Sequence, residues 1–293
     1  MEQLSPRQRE LVSSVVDRLG SIRGIRAVVL GGSYARGRAD AGSDIDLGIY
    51  YSEAEPFLID AIRELANAIN DSPNPVVTDF YDWGPWVNGG AWLTAGNQRV
   101  DFIYRSLEHV NRVISEAEAG RFELNYAQQP PFGFFSGTYL GEIAICVPLL
   151  DPEALLDRLK SRVATYPDAF RAAVVQHFLW SAEFGIAAFA RKFAARDDVY
   201  GTVACLSRAV NELILALFAL NRKYPVNDKT ALSEVSEFER VPRQFRQRLH
   251  RTLAHPGVSS AELLDSVDAM TQVLRETVVL AEGLYQLRYM FPK

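Results

Sequence analysis

Cysteine and clustered positive charge are both scarce in this sequence. Its 293 residues include two cysteines, Cys146 and Cys205, which lie in apolar runs and lack the spacing of metal ligands or of a redox pair. We interpret both as small buried hydrophobic residues in a reducing compartment, which leaves little room for a zinc site. Lysine and arginine number 31 against 36 acidic residues, a formal net charge of −5. A broad nucleic-acid surface, which needs clustered lysine and arginine, is therefore unlikely to be present.

The sequence also lacks a segment that we would interpret as a secretory signal or a membrane span. Its first ten residues, MEQLSPRQRE, are charged and have no apolar core. No other run approaches the roughly 20 apolar residues that cross a bilayer. We therefore expect a cytoplasmic protein with no membrane partner. Its composition, with 48% hydrophobic and 23% charged residues, is typical of a folded chain.

The periodicity of apolar residues changes along the chain, which predicts two domains. Residues 1–125 alternate between helical and strand patterns, so we expect an α/β (α+β) domain with a small mixed sheet flanked by helices. Residues 126–293 are dominated by long helical patterns separated by proline and glycine, which predicts an all-α helical bundle. The segment TYLGEIAICVPLL between them is ambiguous between strand and helix. The oligomeric state is not predicted.

Two aspartates occupy one face of a predicted strand, SDIDLGIYY. Asp44 and Asp46 alternate with Ile45, Leu47 and Ile49, so both carboxylates project from the same side. Like charges this close repel one another unless a cation neutralises them, and hard oxygen ligands suit Mg²⁺ or Mn²⁺. Asp101, in the predicted strand RVDFIY, would add a third carboxylate to the same sheet. Three carboxylates would allow two metal ions to act side by side in nucleotidyl transfer.

A glycine-rich turn precedes these aspartates. Protein-bound Mg²⁺ usually takes one or two carboxylates and completes its shell with substrate phosphates, so a phosphate must be held nearby. The Gly-Gly-Ser turn that ends at Ser33 lets backbone N–H groups approach phosphate oxygens, and the Ser33 hydroxyl adds a donor. The turn and the aspartates together predict a site for a metal-bound nucleoside triphosphate.

The stretch GGSYARGRADAGSDIDLGIYY, followed by RVDFIY, resembles the Gly-Ser-x10-Asp-x-Asp signature of the DNA polymerase β-like nucleotidyltransferase superfamily. The two-part layout is similar to that of the aminoglycoside and lincosamide nucleotidyltransferases. The resemblance implies a nucleotidyltransferase domain over residues 1–125 and an acceptor- and nucleotide-contacting helical domain over residues 126–293. It also implies that ATP or another nucleoside triphosphate is the substrate and Mg²⁺ or Mn²⁺ the cofactor.

The resemblance assigns roles to residues that match the motif. Gly32 and Ser33 would bind the triphosphate, and Asp44 and Asp46 would ligate metal. Asp101 would be a third ligand or the base toward the acceptor hydroxyl. A basic residue of the helical domain reaches the triphosphate in the antibiotic-modifying relatives, and Lys229 is our candidate for it.

Several features have two readings from sequence alone. Glu142 is a candidate for an acceptor-activating base, and a buried salt bridge with an arginine of the bundle explains it as well. The aromatic segment YDWGPWVNGGAW, residues 81–92, could line an acceptor pocket, stack a base or only hold loops in place. The arginines of residues 239–251 could bind phosphates or RNA, or form a solvated helix face.

The expected function is Mg²⁺-dependent transfer of a nucleoside monophosphate, AMP from ATP, to a hydroxyl of a small molecule such as an aminoglycoside-like antibiotic. One alternative keeps the chemistry and changes the acceptor to a protein side chain or an RNA end. An alternative of another class is a nucleotide-binding regulator without turnover. A full set of three carboxylates argues against the regulator, because binding alone does not require all three.

Overall fold

The computed structural model describes residues 3–40 and 42–289, which form two sheets and a series of helices. The strands are β1 (Ile25–Leu30), β2 (Ile45–Tyr51), β3 (Val76–Val77), β4 (Gly90–Ala95), β5 (Gln98–Ser106), β6 (Leu124–Asn125), β7 (Phe134–Phe135) and β8 (Val147–Leu150). The helices are α1 (Pro6–Gly20), α2 (Gly32–Ala35), α3 (Ile59–Ile69), α4 (Gly84–Val87), α5 (Leu107–Glu118), α6 (Thr138–Ile145), α7 (Leu155–Val163), α8 (Asp168–Phe184), α9 (Arg191–Ala194), α10 (Val199–Leu220), α11 (Asp228–Val235), α12 (Phe245–Ala254) and α13 (Ser260–Leu280). A π-helical segment, Gly185–Ala190, joins α8 to α9.

The main sheet is mixed, as the sequence predicts. Its six strands lie in the order β3-β4-β5-β2-β1-β8. Strands β2 and β5 run parallel, and every other neighbouring pair in the sheet is antiparallel. Parallel neighbours cannot be joined by a tight turn, and here the connection includes α3 and the antiparallel strands β3 and β4. The predicted fold class, a mixed sheet flanked by helices and followed by a helical region, is confirmed.

Helix α1 shows why the local sequence was informative. Ser5 caps it, with its Oγ accepting from Gln8 N while the Gln8 side chain accepts from Ser5 N, and Pro6 occupies the first turn. The face formed by Val12, Val15, Val16 and Leu19 is buried in the same core as the strands. Burying each such side chain stabilises the fold by about 1.5–3 kcal/mol. The helix therefore covers one face of the sheet and leaves the other face to the polar residues of the strands.

The chain divides into two compact units, and the division differs from the predicted boundary at residue 125. The first unit is Met1–Glu116 with Glu123–Thr165, and the second is Ala117–Phe122 with Tyr166–Lys293. The segment that was ambiguous from its sequence forms both a helix, α6, and a strand, β8. Because β8 pairs with β1, it extends the main sheet and keeps the residues around it in the first unit.

The second unit is helical and includes two long apolar helices. Asp168–Ala194 and Val199–Leu220 are long and apolar enough to cross a membrane, which corrects the expectation that no run approaches that length. Within their most apolar windows, 39% and 67% of the residues are buried in the structure. Length and composition alone do not separate a membrane span from a core helix, so these helices are weak evidence of either.

Candidate active site

The glycine turn lies against the side chain of Asp46. Strand β1 ends at Leu30, and Gly31 N donates to the backbone oxygen of Asp46 at 2.8 Å. Gly32 has φ of +57°, and a Cβ at this position would lie 1.7 Å from Asp46 Oδ2. A side chain at residue 32 would therefore meet both backbone strain and a steric clash. Glycine brings the backbone of the turn as close to a carboxylate as the fold allows.

Asp46 and Asp101 face one another across the parallel pair of strands at the centre of the sheet. They are directly paired in the register between β2 and β5. Both side chains are half-buried. Neighbouring strands lie about 4.8 Å apart, and paired residues share one face of the sheet, so the two carboxylates belong to one site. The expectation that Asp101 occupies a strand of the same sheet is met, and the pairing makes it an immediate neighbour of Asp46.

Asp44 lies just outside β2, which begins at Ile45 rather than at Asp44. Its Oδ1 is 3.2 Å from Nε of Arg99, the second residue of β5. The Arg99 side chain is 67% exposed and that of Asp44 27% exposed. The sequence gave no sign of this ion pair, because it depends on which strand β5 pairs with.

The donor set suits a divalent metal that a substrate completes. In the described parts of the chain, no group of three or more histidine, cysteine, aspartate or glutamate side chains is arranged to hold a metal ion. Two facing carboxylates with a third nearby are nonetheless what Mg²⁺ uses when phosphate oxygens supply its other ligands. The fit is therefore to a metal that arrives with a triphosphate rather than to a preformed cage of protein ligands.

A glutamine pair braces the loops that carry the site. Gln8 Nε2 donates to the Tyr34 hydroxyl at 2.7 Å and to Gln98 Oε1 at 2.8 Å. Gln98 Nε2 in turn donates to the backbone oxygen of Ser43 at 3.2 Å. These bonds connect α1, the helix after the glycine turn, the residue before Asp44 and the start of β5. The sequence offered no signal for the brace beyond the position of Gln8 in the α1 capping box.

Glu142 forms a buried ion pair, and its partner comes from the sheet rather than from the bundle. Arg105 on β5 donates from Nε and Nη2 to the two carboxylate oxygens of Glu142, each at 2.8 Å. Arg105 is 5% exposed and also donates to the backbone oxygens of Val87 and Tyr104. Burial lowers the pKa of Arg105, but the Glu142 carboxylate more than offsets this effect and raises that pKa above its ordinary value. Glu142 is thus explained by its ion pair, and Asp101 is the better candidate for the base.

Lys229 is an exposed residue in the first turn of α11, in the second compact unit. Asn227 caps this helix by accepting from Thr230 N at 3.2 Å. Burial raises the pKa of the neighbouring Asp228. The assignment of Lys229 to the triphosphate stays a prediction.

The aromatic segment of residues 81–92 has two different roles. Trp86 is buried and stacks on Phe134, so it holds the loop in place. Trp92 is 54% exposed, and its ring stacks on that of Trp83 with centroids 5.0 Å apart. Trp92 is also paired directly with Asp101 in the antiparallel register of β4 and β5. The sequence reading left these possibilities open, and the structure separates them.

These features define an α+β domain in which a glycine turn and facing carboxylates share one edge of a mixed sheet. Residues 10–84 match the family described as "Nucleotidyltransferase domain", a span that includes Gly32, Ser33, Asp44 and Asp46. The N-terminal part of the chain is therefore a nucleotidyltransferase domain of the DNA polymerase β-like superfamily. Domains of this class generally use nucleoside triphosphates and divalent metals.

Other comparisons add less. Residues 138–229 match a domain of unknown function, DUF4037. A nucleotidyltransferase-like protein from Exiguobacterium sibiricum 255-15, of known crystal structure, is 10% identical, with 94% of this chain and 76% of that chain covered and a TM-score of 0.43. A score this low carries no argument about function. No curated protein matches the sequence.

Proposed function

We propose that the protein transfers a nucleoside monophosphate, AMP from ATP, to a hydroxyl group of a small molecule such as an aminoglycoside-like antibiotic. The observation that carries this proposal is the direct pairing of Asp46 with Asp101, beside a turn where only glycine fits against the Asp46 carboxylate. An excess of acidic residues, with a formal net charge of −5, favours a cationic acceptor. ATP and Mg²⁺ are both available in the cytoplasm, where we place the reaction.

The roles of the residues follow from their positions. The N–H groups of the turn at Gly32 and the Ser33 hydroxyl bind and orient the triphosphate. Asp101 accepts the proton of the acceptor hydroxyl, whose oxygen forms a bond to the α-phosphorus as the bond to the bridging oxygen breaks and pyrophosphate leaves. Asp44, Asp46 and Asp101 would hold Mg²⁺ or Mn²⁺, which when bound neutralises charge that develops on the phosphate oxygens. Alignment of the two substrates supplies much of the rate enhancement.

Two other functions are outcomes of the same test. The acceptor of the nucleotidyl group could be a protein side chain or an RNA end. Within the arginine-rich segment of residues 239–251, Arg240 lies 2.8 Å from Glu282 and Arg248 lies 2.5 Å from Glu276, so these charges are partly neutralised. That pairing favours a small acceptor over RNA. A nucleotide-binding regulator without turnover would bind ATP and transfer nothing.

The test is transfer of label from radiolabelled ATP or GTP, with Mg²⁺, to a panel of aminoglycosides, lincosamides, tRNA and protein extract. Asp46→Asn and Asp101→Asn remove the facing carboxylates with little change in shape. Asp17→Asn removes the same charge from an exposed position on α1 and is the matched control. We expect label on one small-molecule class with the unmodified protein and the control, and none with the two site variants. Label on tRNA or protein alone would replace the small acceptor, and ATP binding without any transfer would favour the regulator.

A further inference from the structure

One row of residues crosses the face of the sheet that carries the site. Asp46 on β2 pairs with Asp101 on β5, and Asp101 pairs with Trp92 on β4. On the other side of Asp46 lies Gly31, whose N–H donates to the Asp46 backbone oxygen. Paired residues project from the same face, and each strand adds about 4.8 Å. The order across the face is therefore glycine turn, Asp46, Asp101, Trp92.

This order assigns the two ends of the row to different substrates. In a phosphoryl transfer the attacking and leaving oxygens lie roughly in line on opposite sides of the phosphorus. The leaving pyrophosphate lies at the glycine turn, beside Asp46. The attacking hydroxyl must then come from the opposite side, where Asp101 and Trp92 lie. Trp92 is thus next to the path of the acceptor.

The Trp92 side chain is held ready for a ligand. Its ring is 54% exposed, and the Trp83 ring stacks on it at 5.0 Å with an interplanar angle of 23°. Trp83 is fixed through its backbone, because its N–H donates to Asn88 O at 2.9 Å and its carbonyl accepts from Gln128 Nε2. Gly90 leaves room for this arrangement, since a Cβ there would lie 2.9 Å from Trp83 Cζ3. Single exposed tryptophans are common, but this one is preorganised and adjoins a carboxylate of the site.

We propose that Trp92, supported by Trp83, binds a flat ring of the acceptor and so places the neighbouring hydroxyl at Asp101. This inference rests on the proposed nucleotidyl transfer and adds the class of acceptor, a hydroxyl compound with a ring whose face stacks on indole. The ring is either aromatic or a sugar or cyclitol ring presenting its C–H face. Trp92 is an acceptor-binding residue with no part in holding the triphosphate.

The test uses the indole N–H signals of the ¹⁵N-labelled protein, which has four tryptophans. Trp92→Phe assigns the Trp92 signal and keeps a ring for stacking, whereas Trp92→Ala removes it. ATP with Mg²⁺ is added first and its dissociation constant is measured by calorimetry. Kanamycin, as the sugar and cyclitol probe, and tyrosinamide, as the aromatic probe, are then added separately. Trp180→Phe, in the helical unit, is the control for loss of a tryptophan.

We expect saturating ATP and Mg²⁺ to leave the Trp92 signal in place and one of the two probes to shift it. Trp92→Ala should weaken binding of that probe about 5- to 100-fold, the range for loss of one stacking contact, with less than a twofold change for ATP. Trp92→Phe should restore most of the affinity, and Trp180→Phe should change neither ligand. A Trp92 signal that moves with ATP alone would place the nucleobase there and overturn the inference. Failure of both probes to move it, while ATP binds, would also overturn it. Failure of ATP to bind at all would instead refute the proposed function.

Discussion

Arg99 holds the carboxylate of Asp44, with its Nε 3.2 Å from Oδ1, at the entrance to the strand that carries Asp46. The guanidinium thereby occupies an oxygen that a metal ion would use. Because Arg99 is 67% exposed, solvent screens the pair, and exposed pairs contribute only about 0–1 kcal/mol. The ion pair is therefore weak enough for a metal that arrives with a triphosphate to displace it.

Arg99→Ala is expected to tighten binding of Mn²⁺ in the absence of nucleotide, by up to about fivefold, because an exposed ion pair of at most ~1 kcal/mol no longer competes. Electron paramagnetic resonance of free Mn²⁺ measures the dissociation constant. Arg18→Ala removes the same charge from an exposed position on α1 and controls for the change in net charge. Weaker Mn²⁺ binding in Arg99→Ala than in the control would show that Arg99 orients Asp44 rather than competing for it.

Gly32→Ala is expected to damage the site more than its neighbour Gly31→Ala. At residue 32 the new Cβ would meet Asp46 Oδ2 at 1.7 Å with φ of +57°, whereas at residue 31 the nearest atoms are 3.7 Å away. The backbone strain alone costs about 1–2 kcal/mol, and the clash displaces the carboxylate. Urea unfolding measures the stability, and calorimetry with ATP and Mg²⁺ measures binding. Equal effects of the two substitutions would mean that the turn does not lie against Asp46.

The ion pair of Arg105 with Glu142 should matter for stability more than for catalysis. Arg105→Ala leaves a carboxylate without its buried partner and should lower the free energy of unfolding by about 3–5 kcal/mol. Glu142→Gln keeps hydrogen-bond acceptance and should cost less, with kcat within a few-fold of the unmodified protein. Asp101→Asn should abolish turnover with little loss of stability. Loss of turnover in Glu142→Gln with normal stability would make Glu142 the acceptor-activating base.

Two glutamates of the helical unit should give stability a pH dependence of opposite sign. Burial raises the pKa of Glu212 in spite of its hydrogen bonds from Ser181 and Arg208, so its contribution is fully present below the unfolded pKa of about 4.5 and is lost as pH rises through the folded value. Backbone N–H groups of Val258 and Ser259 lower the pKa of Glu262, so its contribution is present above about 4.5 and is lost as pH falls through the folded value.

The measurement is urea unfolding of Glu212→Gln, Glu262→Gln and the unmodified protein between pH 4 and pH 7. Going from pH 4 to pH 7, the unmodified protein should lose stability relative to Glu212→Gln. Over the same change it should gain stability relative to Glu262→Gln. The same sign for both differences would contradict one of the two environments.

Local sequence signals were sufficient for much of the fold. Capping at Ser5 and the alternation around Asp46 predict α1 and most of β2, and both are present. Pairings between distant segments were beyond reach, because strand order and register depend on the whole sheet. For this reason the Arg99–Asp44 pair and the position of Trp92 beside Asp101 could not be predicted. The predicted roles of Lys229 and of the three aspartates remain predictions.

The most direct test of the central claim follows the two ends of ATP separately. The protein is incubated with Mg²⁺ and an accepting compound, with ³²P at either the α- or the γ-position of ATP. Nucleotidyl transfer predicts that α-label moves to the acceptor and that γ-label is released only as pyrophosphate, both at rates abolished by Asp46→Asn and by Asp101→Asn. Transfer of γ-label to the acceptor, or equal transfer of α-label by the two variants, would contradict the account.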